Sequence, residues 1–233
     1  MTSNFPASLI PEHDAARLRT LHQFQIVNTT PERIFDDYVA WAAQLFGVPI
    51  ALISLVDADQ VWFKALTGAT GLPSLARNES MCSAAILSSD AVVVSDYKPE
   101  RCELIKPDVA QAIGLNFYAG AALVAEDNSR LGMLAIIGKE ARDFSAIEAE
   151  LLTRLAGLVS QTIELRYRYL AADQLPEWED AQQELSIALD DNASLARYLA
   201  TRSQGIDLSD ASVARPIIQR LESVAHVLER RLV

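Results

Sequence analysis

The sequence predicts an α+β protein in which two antiparallel hairpins are set among helices and followed by a C-terminal helical hairpin. Residues 49–65 read as two strands joined by the tight acidic turn Asp57-Ala58-Asp59. Ser145-Ala146-Ile147-Glu148 opens a long amphipathic stretch with the pattern of a capping box. Beyond Pro176, leucines and β-branched residues recur on a narrow helical stripe.

At 233 residues the chain has room for one large domain, or for an ordinary domain with a helical appendage. Half of the residues are apolar, which supports a real core and argues against disorder. The net charge of -11 argues against a nucleic-acid partner, because phosphate binding needs clustered Lys and Arg. Cys82 and Cys102 are too few for a disulfide scaffold and stand at no metal-ligand spacing. The first residues lack a basic segment followed by an apolar run, so no secretory signal is expected. No window of about 18 apolar residues predicts a membrane span. A cytoplasmic protein with no membrane partner follows.

Residues 1–12, with Pro6 and Pro11, are expected to form a flexible lead-in. Over 13–27, Leu18, Leu21, Phe24 and Ile26 recur at roughly helical spacing and predict a first helix. Thr30-Pro31-Glu32 starts a second: Thr30 suits the cap, Pro31 the first helical position and Glu32 the positive helix end. That helix runs to Phe46 and stops at Gly47. Residues 50–56 are an almost unbroken apolar run, as expected of a central strand covered on both faces, and 61–66 form the return strand. Gly68 and Gly71 open a loop reaching Ser80, residues 80–87 predict a short helix, and 91–95 a brief strand. Residues 96–114, with Pro99 and Pro107, read as irregular, and connections this long are more often functional than accidental.

A second hairpin pairs 117–124 with 131–137 around Glu126-Asp127-Asn128-Ser129. The helix opened by Ser145 keeps Leu151, Leu152, Leu155, Leu158, Val159 and Ile163 on one face as far as Tyr167. At about 24 residues it is on the order of 36 Å long and outreaches an ordinary domain edge. Pro176 breaks the chain. Helices are then predicted over 178–199, with Leu185, Leu189 and Leu195 inward, ending near Gly205, and over 214–232, with Ile217, Leu221, Val224 and Leu228 on one stripe. Such a stripe needs a partner to bury it. The expected organisation is a domain over 13–171 followed by a helical hairpin over 176–233.

This order of elements resembles the GAF domain, a small-molecule sensor fold, and within it the bacterial subgroup found with diguanylate cyclases and sensor histidine kinases. Between Arg17 and Arg168, the residues that carry the resemblance are 21–35, 49–64, 77–82, Asp96, Arg101, Phe117-Tyr118-Ala119-Gly120 and Leu131-Gly132. It implies a mostly antiparallel sheet of five or six strands, helices on one face, and a ligand pocket under loops on the other. Several positions depart from the subgroup: Met81 stands where phenylalanine is usual, Cys102 likewise, and Asn116 replaces an arginine. Ala135 and Gly138 replace a cysteine and an aspartate. The loss of the arginine and aspartate implies the loss of an internal ion pair or ligand clamp.

The resemblance implies a ligand site between the sheet and loops 67–80 and 96–114, with Trp62, Phe63, Cys82, Asp96, Phe117 and Tyr118 as its candidate residues. Trp62 and Phe63 alternate across a strand, so only one can face a given side. Stacking on a planar ligand and packing under a helix or at a dimer seam both stay open for them. One GAF-type enzyme family reduces free methionine sulfoxide with cysteine thiols, but the spacing of Cys82 and Cys102 is not that family's pattern, and Cys82 reads as buried and structural. His226 lies on a predicted helix without the ATP-binding domain a phosphotransfer role wants, and Asp57 and Asp59 are explained by their turn. No phosphate-cradling glycine loop, nucleophile elbow or metal motif is visible, and no cofactor is expected. The function expected is a non-enzymatic sensory or regulatory module that binds a small molecule and signals through dimerising helices to a partner protein. The alternatives are a homodimeric scaffold with a closed pocket and a thiol-dependent reductase.

Overall fold

The early helical spacing gives α1 (Asp14–Gln23) and α2 (Arg33–Phe46). The computed structural model describes residues 10–69, 74–98, 107–203, 208 and 210–232. α1 stops short of residue 27 because Gln25 and Asn28 adopt positive φ, 49° and 58°, which a right-handed helix does not admit. Thr30 does not cap α2. Glu32 holds the cap position in extended backbone without a side-chain cap bond, because its carboxylate is engaged by side chains from other elements. Gly47 ends α2 at φ 62°, as its position in the sequence predicts.

Six strands form one sheet: β1 (Ile50–Val56), β2 (Gln60–Thr67), β3 (Ser74–Ala76), β4 (Val92–Val94), β5 (Phe117–Val124) and β6 (Arg130–Gly138). Their order is β3-β2-β1-β6-β5-β4, and every neighbouring pair is antiparallel. β1 runs between β2 and β6, and its apolar residues alternate between two core clusters, one on each face of the sheet. Gly132 of β6 pairs with Leu55, and a Cβ there would lie 1.8 Å from the Ser54 carbonyl oxygen. Only glycine lets the two strands approach so closely. β3 falls in a stretch read as loop; three edge residues carry too little alternation to reveal a strand.

One face of the sheet, including Ala51, Ile53, Leu55, Phe117, Ala119, Leu134 and Ile136, packs against α2 and α5 (Ala146–Ala171). The other, including Ile50, Leu52, Tyr118, Met133, Ala135 and Ile137, lies under the short helices α3 (Met81–Ala85) and α4 (Pro107–Ile113). α4 corrects the expectation of an irregular stretch over 96–114. Pro107 opens the helix, at the position where a missing N–H removes no bond. Arg101 and Cys102 lie outside the described residues, as do the loop segment 70–73 and most of the lead-in.

Ser145 and Glu148 form the capping box reciprocally, and α5 extends for 26 residues. The chain turns at 172–174, where Asp173 takes φ 58°. α6 (Leu175–Ser203) then carries Pro176 inside its first turn rather than after a break. α7 (Ala211–Leu232) starts three residues before Ala214 and runs through Pro216. α6 lies along α2, and α7 lies along α5 and α6. The stripe of Trp178, Leu185, Leu189, Ile217, Leu221, Val224 and Leu228 is therefore buried on this chain's own helices, in one core with the helix side of the sheet. Each such side chain contributes about 1.5–3 kcal/mol relative to exposure, so the hairpin is held mainly by apolar burial.

Candidate functional site

A cavity of about 50 Å³ lies between the sheet and the α3–α4 side, where β1, β2, β5 and β6 supply its floor. Ile50, Leu52, Phe63, Leu66, Leu115, Tyr118 and Ile137 line it with Met81, Cys82 and Ile113, and none of its lining residues among the described residues is charged.

Of the residues expected at a ligand site, Phe63, Cys82 and Tyr118 meet here. Trp62 does not: it packs on the helix side of the sheet, against the core of α2 and α5. Phe117 also faces the helix side, fully buried, with the Phe144 ring 5.6 Å away and the Arg142 guanidinium 5.3 Å from its centroid. In each adjacent pair one residue faces the cavity and the other the helices, as strand alternation requires. Asp96 is half-exposed beside Lys98 Nζ at 2.8 Å and is not among the lining residues. Its neighbour Tyr97 is buried on the cavity side instead. Ile50, Leu52, Leu66 and Ile137 were legible only as core positions, although alternation along β1 places Ile50 and Leu52 on the same face.

Local sequence fixes the polar edge of the site. Ser80 caps α3, accepting the Cys82 N–H at 3.2 Å, and this turn presents the Cys82 side chain to the sheet. The Tyr118 hydroxyl donates to Cys82 Sγ at 3.8 Å. Burial pushes both the Cys82 thiol and the Tyr118 phenol above their ordinary pKa values, so both stay protonated near neutral pH. Gly120, two residues along on the same face, leaves room for that phenol, since a Cβ there would sit 2.6 Å from the Tyr118 hydroxyl. Asn116, where the resemblance expects an arginine, donates through Nδ2 to the Lys139 carbonyl, and its own carbonyl accepts the Tyr97 N–H at 2.7 Å.

A β-bulge joins this site to the helices. Ile53 pairs with Ala65 but Ser54 pairs with Phe63, so Lys64 is the extra residue on β2. The bulge turns Lys64 away from the cavity-lining Phe63 and sends its ammonium under α2. There Lys64 Nζ donates to Thr29 Oγ1 at 2.8 Å, to the Thr30 carbonyl at 2.8 Å and to Glu32 Oε1 at 2.9 Å. Burial pushes its pKa down, opposed chiefly by Glu32. The same carboxylate accepts Arg166 Nε of α5 at 2.7 and 2.9 Å and the indole N–H of Trp178 of α6 at 3.1 Å. One side chain thus fastens the cavity strand, α5 and α6.

A second buried cluster ties α1 to the end of the sheet at the β1–β2 turn. Asp14 accepts Arg17 Nε at 2.7 Å and both Nη atoms of Arg77, at 2.6 and 3.0 Å. Arg77 also reaches the Ala58 carbonyl at the β1–β2 turn. Burial raises the Asp14 carboxyl, but Arg77 and Arg17 outweigh it and leave the pKa below its ordinary value.

Residues 30–163 match the GAF domain family. Over 132 residues the chain is 31% identical to a cyclic di-GMP phosphodiesterase of Pseudomonas aeruginosa, a match covering 57% of this chain and 22% of that protein. The chain therefore spans about a fifth of that relative's length. Among solved structures, the GAF domain of an Acinetobacter phosphoenolpyruvate-protein phosphotransferase superposes with a TM-score of 0.49 at 20% identity, over 69% of this chain and 98% of that one. The PixJ GAF domain of Thermosynechococcus elongatus in its blue-light absorbing form gives 0.48 at 17%, over 70% and 96%. No helix among the described residues is long and apolar enough to cross a membrane.

Proposed function

Because this chain belongs to the GAF domain family, a family of sensory modules, we propose that it is a non-enzymatic sensory and regulatory module of the cytoplasm. It takes a small uncharged molecule into the cavity lined by Phe63, Cys82 and Tyr118 and passes the result through its helices to a partner protein. The observation that carries this reading is the cavity itself: apolar, without a charged lining residue among the described residues, and set against a protonated thiol and phenol that supply its polar edge. A thiol enzyme would need a lowered thiol pKa, whereas burial raises that of Cys82. The phosphodiesterase activity named for the Pseudomonas relative is not carried over to this chain, because the match covers 22% of that protein.

Native mass spectrometry on the chain purified from its host tests the proposal. A small molecule retained in the folded state and released on unfolding is expected. A bare chain throughout, with no thermal shift from a panel of small uncharged molecules, would count against sensing.

The small volume favours a second reading. About 50 Å³ is far below the roughly 300 Å³ at which ligand pockets usually begin, as expected of a scaffold with a closed pocket. In that reading the homodimer forms on the outer side of α6, where Ile187 and Tyr198 are exposed, because α6 and α7 already cover α2 and α5. Light scattering decides it, since a monomer at micromolar concentration contradicts the dimer.

A further inference from the structure

We infer that Glu32 is a coupling residue: its carboxylate makes the position of the cavity strand and the docking of the C-terminal hairpin parts of one equilibrium. The inference rests on the sensory reading only for its purpose, since the coupling is built from groups already in place. Phe63 lines the cavity, and Lys64, the next residue, is the bulge. All three N–H bonds of Lys64 are spent on Thr29, Thr30 and Glu32. β2 therefore cannot shift at Phe63 without breaking at least one of them. Arg166 Nε reaches both oxygens of the same carboxylate, sharing Oε1 with Lys64, and the Trp178 indole N–H donates to Oε2.

The geometry is that of a shared acceptor. The side chains of Lys64, Arg166 and Glu32 are 0%, 7% and 12% exposed, so water does not replace a bond lost on either side. Releasing Lys64 leaves Glu32 to Arg166 and Trp178 in a new position. Releasing Trp178 lets Glu32 follow Lys64. Whatever displaces Phe63 thereby changes the Trp178 bond that holds the start of α6, and by reciprocity losing that bond changes access to the cavity. A molecule entering beside Phe63 acts on the hairpin only by preferring one of these arrangements.

Cys82 in the cavity wall supplies a ligand-free test. In the full chain carrying Cys102→Ser, Cys82 is the only thiol, and its labelling rate by an aromatic disulfide reports cavity opening. Trp178→Phe removes the α6 donor to Glu32 and keeps most of the ring. Labelling of Cys82 is expected to accelerate at least about fivefold, the lower end of measured site-to-site coupling. Leu185→Ala, which loosens α6 beyond Trp178 and leaves the Trp178–Glu32 bond in place, is expected to raise hydrogen exchange over 183–190 and leave labelling within about twofold, as for an uncoupled site. In the other direction, Lys64→Arg keeps the charge, disturbs the bulge and is expected to raise exchange over 175–190.

Labelling in Trp178→Phe equal to the parent, or equal acceleration by Leu185→Ala, would overturn the coupling. If Trp178→Phe does not fold, Lys64→Arg decides: unchanged exchange in α6 overturns it. None of these readouts uses a bound molecule. A negative result here leaves the sensory proposal standing, and failure to find a molecule leaves the coupling standing.

Discussion

Replacing Glu32 by glutamine removes one negative charge and little volume from the point where β2, α5 and α6 meet. The side chains of Lys64, Arg166 and Glu32 are 0%, 7% and 12% exposed, close to the buried limit for an ion pair. Removing one partner of a buried pair costs about 3–5 kcal/mol, because the remaining charge is left uncompensated. Arg166 keeps the Gln25 carbonyl and Lys64 keeps Thr29 and Thr30, so the lower figure applies. A loss of about 3 kcal/mol lowers the melting temperature by roughly 6–12 °C for a chain of this size. Urea unfolding followed by tryptophan fluorescence reads it well, since Trp178 is itself bonded to Glu32. The midpoint is expected to fall by about 1 M, taking a slope near 3 kcal/mol per molar. The double variant Glu32→Gln, Lys64→Met removes both charges and is expected to lose less than the sum of the single variants. A single-variant loss below about 1 kcal/mol, the range of exposed ion pairs, would refute the buried hub.

Other substitutions probe the remaining parts of the fold. Gly120→Ala sets a Cβ 2.6 Å from the Tyr118 hydroxyl, so a loss of about 1–3 kcal/mol and faster labelling of Cys82 are expected in urea and thiol-reagent assays. Gly132→Ala meets the Ser54 carbonyl at 1.8 Å, where backbone has nowhere to move, and should yield no cooperatively folded protein by circular dichroism. Asp14, whose pKa is lowered in the fold, contributes stability above its ordinary value of 3.8, and this is lost as pH falls through the folded value. Asp14→Asn is therefore expected to flatten the acid limb of a stability-against-pH curve and to leave unchanged the dependence that other groups produce.

Helix and strand were legible where the pattern was long. Residues 50–56, the Ser145 capping box and the stripe of Ile217, Leu221, Val224 and Leu228 each predicted an element the structure contains. Short elements escaped: β3 has three residues, and Pro107 disguised α4 as a break although proline suits a helix start. At the site, alternation showed that Trp62 and Phe63 part company, but not which way, because a bulge resets the phase and no local signal marks Lys64 as its extra residue. The Glu32 hub was hidden for a related reason. Glu32 looked like a helix-start residue, and its partners Arg166 and Trp178 stand more than a hundred residues away. Only tertiary packing assigns that carboxylate.

That the cavity and the C-terminal hairpin move together is tested most directly by nitrogen-15 correlation spectra of the intact chain under xenon pressure. Xenon enters dry apolar cavities and carries no charge or hydrogen bond of its own. The amide signals of Phe63, Cys82 and Tyr118 are expected to shift with xenon, and the Trp178 indole N–H, bonded to Glu32, is expected to shift with the same dependence. Cavity signals that move while the Trp178 indole stays fixed would contradict the coupling. A spectrum unchanged throughout would contradict the cavity as a binding site.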